Sequence, residues 1–491
     1  MSEYSEIIAD ISFQQPDTWL SALLAMFALL WPYLIAAISL ALSLTVTLHV
    51  VLNKRDARAA AAWTGLVWLV PLLGSLLYWI LGVNRIRRRA RQLTGGMIDA
   101  AEQLRQAGLN TAEVGHLRGL NETVGRLTQL PLVSGNAVTP LPADMAFSQM
   151  VEAIEGATDS VYLTTYIFDN SPLCWPLVMA MSRAKQRGVK VRVLLDGMGV
   201  LYSFPTVLRR LRQSQVPHDR FLHSLAPWRM PYMNLRNHRK ILVIDRRIGF
   251  TGGMNIRHHY LAEPPTALDL HARVEGPVVE QLMRSFATDW HFTCGEILNC
   301  AYTGADKVGS VVARGISAGP DADFDKRRLA LLSAIGAAKH HIRILTPYFV
   351  PDKSILVALQ LALLRGVSVD IVVPRKSNLR FVHWASLHAL QWLVYEGVRL
   401  HLSPPPFDHS KIMTVDGLWS MVGSGNWDAR SLRLNFEFDL ECYDNELAEQ
   451  LNGVIDRQIA NSTVMNSDNF ATLSVGAKIR NALAHLFEPY L

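Results

Sequence analysis

Two short stretches of this chain carry the same pattern of reactive residues. The first is NHRKILVID at 237–245, and the second is DHSKIMTVD at 408–416. Each places a lysine two residues after a histidine and an aspartate further along, within an apolar run. Each is followed at one spacing by a related element, GGMN at 252–255 and GSGN at 423–426. One such match arises by chance with odds of about one in fifty, so two in corresponding places indicate a duplicated functional site.

The residue types at these positions suit a bound phosphodiester. Alternate residues of a strand face the same side, so His238 and Lys240 point together, as do His409 and Lys411. Two such pairs brought together form a pocket with two ammonium groups and two titratable imidazoles. An anionic phosphodiester complements that charge.

The segment after each motif adds further groups suited to phosphate. Its glycines allow close approach of the backbone to a ligand. The side chains of Asn255 and Asn426 can donate hydrogen bonds to non-bridging oxygens. Asp245 and Asp416 fall on the other face of the strand or at its end, so an ion pair bracing the strand competes with a chemical role.

Two other kinds of site fit the sequence less well. A metal site is disfavoured because a lysine in the cluster puts positive charge where the cation would sit, and spacings such as H-E-x-x-H are absent. Serine-hydrolase chemistry is disfavoured because the sequence has no G-x-S-x-G elbow.

Internal similarity predicts that two related units carry the two motifs. The stretch 153–168 resembles 334–349, and 184–196 resembles 362–374, with a histidine motif following each pair. Each copy alternates helical segments with continuously apolar, β-branched strands, as buried strands of layered α/β domains do. We therefore predict two related α/β units of roughly 150 residues each.

The amino-terminal part has the composition of a membrane anchor. No formally charged residue occurs from Trp19 to Leu52 or from Ala59 to Val83, and a proline divides the first run. Because a bilayer core takes about 20 apolar residues as helix, we predict an interfacial helix at about 18–31 and spanning helices at about 33–52 and 60–82. A buried helical hairpin of a soluble protein is the alternative.

Basic residues predict the orientation of this anchor. NRIRRRAR at 84–91 carries five arginines, the loop at 53–58 three basic residues, and the amino-terminal tail none. Positive-inside counting therefore places the tail and the residues after 84 in the cytoplasm. The arginines should also attract anionic headgroups, by about 1 kcal/mol each near the surface, although a stop-transfer flank explains them equally well.

The overall charge and the cysteines add weaker constraints. The chain of 491 residues has a formal net charge of +6, which suits nucleic acid, phosphate esters or an acidic lipid surface. Its four cysteines form no C-x-x-C pair, and we expect free thiols in a reducing compartment.

The two motifs and their surroundings resemble the phospholipase D superfamily and, more narrowly, bacterial cardiolipin synthases of the two-transmembrane type. VNRIRRRAR after PLLGSLLYWILG is similar to the membrane segment of that type. RVEGPVV (273–279), DW (289–290) and RSLRLNFEFDL (430–440) are similar to the sequences that follow each motif. The first copy departs from the superfamily pattern at Gly253, where serine is frequent, and the second copy keeps Ser424.

The resemblance implies an α/β fold, with duplicated phospholipase D-like α/β/α sandwich domains behind an N-terminal helical membrane anchor. The expected division is an anchor at 1–91, a connector at 92–145, a first domain at 146–310 and a second at 311–491. The expected location is the bacterial inner membrane, as a multi-pass protein with cytoplasmic catalytic domains. An apolar stretch before the first motif, LAPWRMPYMNL at 225–235, either enters the membrane interface or packs in the core.

The resemblance also implies a reaction. Two phosphatidylglycerol molecules would give cardiolipin and glycerol through a phosphohistidine intermediate, without metal or other cofactor. By family convention His238 is the nucleophile and His409 the acid/base, whereas the residues alone leave the two equivalent. The partners implied are phosphatidylglycerol, cardiolipin and an anionic membrane surface, with no nucleic acid. The resemblance leaves open whether the chain forms a homo-oligomer. Another phosphatidyltransferase or a hydrolase of the superfamily, a nuclease and a non-catalytic membrane scaffold are the alternatives.

The resemblance assigns supporting roles to further residues. Charge on the phosphate oxygens would be stabilised by Lys240, Lys411, Asn255 and Asn426, with phosphate contacts from Ser424 and the backbone at Gly253. A carboxylate behind each histidine would fix its tautomer, and the matching positions are Asp269 and Glu437, for which surface exposure is the alternative. The motif aspartates, Asp245 and Asp416, complete the predicted catalytic set.

Overall fold

The computed structural model describes residues 18–54, 57–82, 114–223, 235–300, 306–320 and 323–488. The arginine-rich stretch at 84–91 and residues 225–234 of LAPWRMPYMNL lie outside the described residues. The chain divides into two compact units, Met1–Arg85 and Ile86–Leu491.

The amino-terminal unit is helical and apolar. Its elements are α1 (Thr18–Asn53), α2 (Ala57–Leu69), α3 (Pro71–Leu77) and a π-helical turn at Tyr78–Gly82. The segment Met26–Asn53 is long and apolar enough to cross a membrane, and only 17% of its most apolar 18-residue stretch is buried. A helix that exposes its apolar side chains in this way suits lipid better than the interior of a soluble protein.

The helix boundaries differ from those predicted. Helix α1 continues through Pro32, so the structure does not separate a helix at 18–31 from one at 33–52. The second apolar run is instead interrupted at Val70, which precedes Pro71, because proline disfavours a helical conformation in the residue before it. The two runs contact each other through Ser43 Oγ, which donates to the Val67 carbonyl at 3.2 Å.

The second unit begins with helix and strand elements that lead into its first half. The helices and strands of this half are α4 (Arg118–Thr128), β1 (Val133–Pro142), α5 (Ala143–Glu155), β2 (Ser160–Thr165), α6 (Trp175–Gln186), β3 (Lys190–Asp196), α7 (Val207–Gln213), β4 (His218–Phe221), β5 (Arg236–Asn237), β6 (Ile241–Ile244), β7 (Ile248–Gly252), α8 (His258–Leu261), β8 (Ala267–Leu268), β9 (Leu270–Glu275) and α9 (Val279–Cys294).

The second half repeats this succession. Its helices and strands are β10 (Val311–Ala318), α10 (Lys326–Ala337), β11 (His341–Leu345), β12 (Phe349–Val350), α11 (Lys353–Leu364), β13 (Ser368–Pro374), α12 (Arg380–Tyr395), β14 (Arg399–Ser403), β15 (Phe407–Asp408), β16 (Ile412–Val415), β17 (Trp419–Gly423), β18 (Trp427–Asp428), α13 (Ala429–Arg433), β19 (Asn435–Tyr443), α14 (Asn445–Ala460), β20 (Thr463–Met465), α15 (Ser467–Ala471) and α16 (Val475–His485).

Most strands of both halves join in one mixed sheet, whereas β12 pairs with β18 and β15 with β8 outside it. Its order is β20-β14-β13-β11-β16-β17-β19-β10-β1-β9-β7-β6-β2-β3-β4, and β5 pairs with β19 off this path. Outward from the central pair β1 and β10, each half presents the same series, with one antiparallel hairpin followed by parallel strands. The structure therefore contains the duplicated α/β arrangement that the repeated sequence predicted.

The central strand β1 comes from the stretch predicted to be a connector. Its sequence, VSGNAVTPLP, contains glycine, asparagine and two prolines, which favour turns. Proline is tolerated here because β1 pairs with β10 only over Val133–Asn136 and with β9 over Ala137–Pro142. The prolines therefore lie where the strand pairs on one side, as at a sheet edge.

Helices cover both faces of the sheet. One face of the first half packs against α5, α6 and α7, and one face of the second half against α4, α10, α11 and α12. On the opposite face, α9 and α14 share a single apolar cluster with strands of both halves. This common core holds the halves together and positions their equivalent loops at one site.

Candidate active site

Each histidine follows a short strand that pairs with the other half of the unit. β5 pairs in parallel with the start of β19, and β15 pairs in parallel with β8. The backbone N–H of His238 donates to the Phe436 carbonyl at 2.9 Å, and that of His409 donates to the Leu268 carbonyl at 2.8 Å. The halves thus hold each other's histidine segments by the same backbone contacts.

The carboxylates behind the histidines are exchanged between the halves. His238 Nδ1 lies 2.9 Å from Glu437 Oε2, and His409 Nδ1 lies 2.8 Å from Asp269 Oδ2. All four side chains are buried. Because Nδ1 of each ring faces its carboxylate, Nε2 is the nitrogen available to a ligand. The sequence indicated both carboxylates, but not that each one serves the histidine of the opposite half.

Glu437 is held as an anion. Ser424 Oγ donates to Oε2 at 2.5 Å, and Asn435 Nδ2 donates to Oε1 at 3.1 Å. Burial would raise the pKa of Glu437, but the charges of His238 and Lys240 and the hydrogen bonds from His238 and Ser424 lower it to about 2. An ionised carboxylate behind His238 stabilises positive charge on that ring.

Asp269 has a different setting. Burial raises the pKa of its carboxyl to about 7, against the opposing charge of Lys411 and hydrogen bonds from the Leu270 backbone and the Tyr260 hydroxyl. The Tyr260 oxygen also lies 3.4 Å from His409 Nδ1. Near neutral pH this carboxyl is therefore partly protonated, unlike Glu437.

Gly253 and Ser424 occupy equivalent positions in the two halves, and neither offers a free group to phosphate. Their backbone N–H groups donate to the carbonyls of Leu270 and Phe438, respectively. A Cβ at Gly253 would lie 2.2 Å from Asp269 Oδ1, whereas the Ser424 hydroxyl is taken up by Glu437 and the Phe438 N–H. The predicted phosphate contacts of these two residues are corrected accordingly: Gly253 leaves room for Asp269, and Ser424 holds Glu437.

The two lysines give the pocket positive charge, although burial removes water from their ammonium groups and so disfavours that charge. Lys240 Nζ donates to the His238 carbonyl at 2.6 Å, and Lys411 Nζ lies 2.8 Å from His409 Nδ1. Burial lowers the pKa of Lys240 to about 7 and that of Lys411 to about 8. A bound anion would offset this burial and restore both charges.

Both imidazoles are neutral in the unliganded pocket. Burial lowers the pKa of His238 to about 4, with Lys240 and Lys411 lowering it further against the raising effect of Glu437. Burial also lowers the pKa of His409 well below its ordinary value, and Lys411, Lys240 and His238 act in the same direction. Charges of each half therefore act on the histidine of the other, which places the four groups in one electrostatic site.

The two predicted phosphate-binding asparagines are both buried but are held differently. Asn255 Oδ1 accepts from the Ile167 backbone at 3.2 Å. Asn426 Oδ1 has no hydrogen-bond partner among the described residues, while the Asn426 carbonyl accepts from Arg327 Nη1 at 2.8 Å. Arg327 is itself paired with Asp439 at 2.6 Å. The second asparagine loop is thus braced through its backbone by a buried ion pair.

The motif aspartates lie at the far end of their strands from the histidines. Asp245 accepts hydrogen bonds from the backbone N–H groups of Thr158, Asp159 and Ser160. Burial would raise the pKa of Asp245, but these donors lower it. Asp416 accepts in the same way from three backbone N–H groups and also from His116. The structure does not bring these aspartates to the pocket, which corrects their place in the predicted catalytic set; they hold a loop.

Three tyrosines border the site, and sequence reasoning did not find them. The Tyr166 ring lies 5.1 Å from the His238 ring, and the Tyr348 ring 6.2 Å from the His409 ring, both edge-on. Tyr260, described above, contacts the second pair. The sequence offered little indication of them, because Tyr166 aligns with Pro347 in the repeat and no tyrosine recurs at matching positions.

Behind the first motif, the residue between histidine and lysine points away from the pocket. Arg239 is buried and donates to Asp289 at 2.5 Å and to Ser317 at 2.5 Å. Asp289 also accepts from Asn237 Nδ2 at 2.9 Å. This network fixes the backbone on both sides of His238.

Two family models match the chain. One is described as cardiolipin synthase, PLD-like domain, and matches residues 150–290 and 331–459. The other is described as phospholipase D-nuclease N-terminal and matches residues 41–82. The first covers both copies of the histidine motif, and the second covers most of the described apolar helices.

The chain is similar along nearly its whole length to curated relatives. A cardiolipin synthase of Oceanobacillus iheyensis is 29% identical, over 92% of this chain and 99% of that protein. The major cardiolipin synthase ClsA of Bacillus subtilis is 29% identical, over 89% and 95%, and cardiolipin synthase A of Pseudomonas putida is 30% identical, over 94% and 98%. A phosphatidylserine synthase of Haemophilus influenzae has the same fold, with a TM-score of 0.58 at 15% identity, over 76% of this chain and 100% of that one.

Proposed function

From the premise that this chain belongs to the phospholipase D-like cardiolipin synthase family, we propose that it joins two phosphatidylglycerol molecules into cardiolipin and releases glycerol. One phosphodiester is exchanged for another, so no nucleotide is required. The observation that carries this proposal is the crossed pair of histidine–carboxylate contacts, His238 with Glu437 and His409 with Asp269.

In the first step, His238 attacks the phosphorus of one phosphatidylglycerol. Its Nε2 lone pair forms the phosphorus–nitrogen bond, the phosphorus–oxygen bond to the glycerol headgroup breaks, and His409 gives its proton to the departing oxygen. The ring of His238 gains positive charge in this step. The ionised Glu437 behind it, whose pKa is lowered to about 2, stabilises that charge and favours His238 as the nucleophile.

In the second step, the terminal hydroxyl of another phosphatidylglycerol replaces the histidine. His409, now neutral, takes the hydroxyl proton through Nε2, the oxygen bonds to phosphorus, and the phosphorus–nitrogen bond breaks. Cardiolipin leaves with His238 neutral and His409 protonated again. Lys240, Lys411, Asn255 and Asn426 supply the donors for the phosphate oxygens in both steps.

The negative charge of the bound substrate favours protonation of His409. Without a ligand, burial and the neighbouring lysines keep its pKa well below the ordinary value. A phosphodiester monoanion in the pocket opposes those lysines and raises the pKa of the imidazole. His409 thus becomes a competent acid only when substrate is bound.

The anchor places this chemistry at the membrane. The apolar helix Met26–Asn53 gives the chain its membrane association. We propose that residues 57–82 form a second crossing of the bacterial inner membrane, since their helices pack against α1 through Trp68 Nε1 and Thr47 Oγ1 at 3.1 Å. The excess of arginine after residue 84 supports a cytoplasmic location for the catalytic unit, which we propose on that ground.

The test is a product analysis with purified full-length protein in detergent and phosphatidylglycerol as the sole lipid. Mass spectrometry is expected to show cardiolipin and glycerol in equal amounts. Phosphatidic acid alone would assign hydrolase activity, cleavage of added DNA without lipid product would assign a nuclease, and no product from either would leave only a scaffold. A His238→Asn, His409→Asn double variant, prepared identically, controls for copurified enzymes.

A further inference from the structure

Two loops at equivalent positions border the mouth of the active site. Residues 197–206 follow β3, and residues 375–379 follow β13. β3 and β13 are equivalent strands, since β3 is parallel to β2 and β13 is parallel to β11. Because the carboxyl ends of equivalent strands carry both loops, the duplication puts one loop on each side of the site.

One aromatic ring connects each loop to a histidine. Tyr166 lies 5.1 Å from the His238 ring and 6.0 Å from the Tyr202 ring in the first loop. Tyr348 lies 6.2 Å from the His409 ring, and its hydroxyl donates to Asn378 Oδ1 in the second loop at 2.6 Å. The loops are therefore one side chain away from the reacting groups.

The outer surface of these loops is apolar. Phe204 is 98% exposed and Leu379 is 48% exposed, and the ring of Phe381, also exposed, lies edge-on to that of Phe487 with 5.5 Å between the ring centroids. We call the exposed apolar group formed by both loops and the adjoining helix ends the mouth rim; its members are Leu201, Tyr202, Phe204, Leu379, Phe381 and Phe487. A group of exposed apolar side chains beside a site marks a surface for binding.

The formal charge on the two loops of the mouth rim and on the helices that follow them is of one sign. The sequence has no aspartate or glutamate from 197 to 213 or from 375 to 395. Arg209, Arg375, Lys376 and Arg380 are exposed in the same segments. Apolar and aromatic side chains flanked by basic residues match the boundary between acyl chains and anionic headgroups.

We propose that the mouth rim docks on an anionic lipid bilayer and inserts Phe204 and Leu379 at the level of the headgroups. The apolar helix of the amino-terminal unit is long and apolar enough to cross a membrane, and a chain of about 30 residues reaches on the order of 100 Å at most when extended, so a bilayer that holds this helix is within reach of the mouth rim. A second copy of the chain fits less well because its mouth rim carries the same positive charge. Docking lets both lipid substrates reach the pocket without leaving the bilayer.

The first test measures insertion and does not depend on activity. With Cys294 and Cys300 replaced by serine and the buried Cys174 and Cys442 kept, Phe204→Cys is labelled with an environment-sensitive dye in the full chain. In phosphatidylglycerol bilayers we expect a blue shift and quenching by lipids spin-labelled near the headgroup. Leu364→Cys is the matched control, since it is 74% exposed but lies just before the amino end of β13, opposite the loop.

The outcomes separate the bilayer from other occupants. Equal signals from the two labels would overturn the proposal, because the whole surface would then contact lipid or none of it would. A blue shift at Phe204→Cys that appears in detergent and grows with protein concentration would assign the mouth rim to self-association and also overturn it. Since Phe204 is almost fully exposed, its replacement removes little packing from the fold.

The second test uses the proposed synthase activity and is the only one that rests on it. A Phe204→Ser, Leu379→Ser variant should lose about tenfold or more in kcat/KM on vesicle phosphatidylglycerol, the loss expected from one or two buried apolar side chains. Its kcat/KM on monomeric short-chain phosphatidylglycerol should stay unchanged, as should that of Leu364→Ser on both substrates. An equal loss on both substrates would overturn the docking role, whereas absence of cardiolipin from the wild-type protein would count against the synthase proposal alone.

Discussion

His238 hydrogen-bonds a carboxylate whose pKa is lowered to about 2, whereas His409 hydrogen-bonds one whose pKa burial raises to about 7. The backbone contacts around the two are equivalent, and both carboxylates come from the opposite half. A hydroxyl lowers the pKa of each carboxylate, Ser424 for Glu437 and Tyr260 for Asp269, but only Glu437 is lowered further by the charge and hydrogen bond of its own histidine. Duplication thus preserved the backbone arrangement while side chains made the two histidines chemically unequal.

The largest expected effect tests whether the two histidines have different roles. With a phosphatidyl ester of nitrophenol, a leaving group that needs no acid, His409→Asn should release one nitrophenol per enzyme and then stall as the phosphoenzyme. His238→Asn should release none. Stopped-flow absorbance and intact-protein mass spectrometry measure both, and a burst from His238→Asn instead would reverse the assignment.

The next effect separates the two carboxylates. Glu437→Gln removes a full negative charge from behind His238, and we expect kcat to fall on the order of a thousandfold. Asp269→Asn replaces a carboxyl that is partly protonated near neutral pH, and kcat should fall only about tenfold. Steady-state rates on phosphatidylglycerol at pH 7 compare them. Equal losses would show that the difference in pKa has no catalytic consequence.

The pH dependence of kcat/KM examines the charges of the free pocket. Attack requires neutral His238, whose pKa is about 4, so kcat/KM should rise as pH passes that value. Departure of the glycerol oxygen requires protonated His409, whose pKa in the free pocket lies well below its ordinary value, so kcat/KM should fall as pH rises above that value. The fall should become steeper from about pH 7 to 8, where Lys240 and Lys411 lose the protons that phosphate binding requires. The arginine in Lys240→Arg stays charged, so the steep fall in kcat/KM should move to higher pH. If kcat/KM of the wild-type protein stays constant from pH 7 to 9, the proposed role of the two lysine charges is wrong.

Removal of the tyrosine hydroxyl sharpens the comparison of the supporting groups. Tyr260→Phe deletes a hydrogen bond that lowers the pKa of Asp269, so we expect about a tenfold loss in kcat with KM unchanged and a shifted pH profile. Gly253→Ser is not expected to rescue it, since a Cβ there would collide with Asp269. A loss confined to thermal stability would make Tyr260 merely structural.

The smallest effect on catalysis is expected at the motif aspartates. Asp245→Asn leaves some of its three backbone donors without a charged acceptor, which should lower the free energy of unfolding by about 1–2 kcal/mol. Its kcat per folded molecule should match the wild type, and Asp416→Asn should behave alike. Calorimetry and rate measurements on the same preparation provide the two values. A hundredfold loss of kcat in a stable variant would restore a catalytic role.

Much of this arrangement could be predicted from sequence, because spacing and periodicity are local properties. Two copies of one histidine–lysine pattern in a repeated context predicted a duplicated α/β fold and one phosphodiester site. The strand β1 was missed because its prolines favour turns, and only its one-sided pairing makes them acceptable. Tyr260 was missed because its contact with Asp269 depends on the fold rather than on spacing in the sequence.

The exchange of carboxylates between the halves has a genetic consequence. A lesion at Asp269 impairs a histidine encoded 140 residues downstream, and a lesion at Glu437 impairs one encoded 199 residues upstream. Compensating second-site mutations should therefore appear in the half that did not suffer the original change. A selection for revertants would recover suppressors in the other copy of the repeated unit, so neither copy is free to diverge by itself.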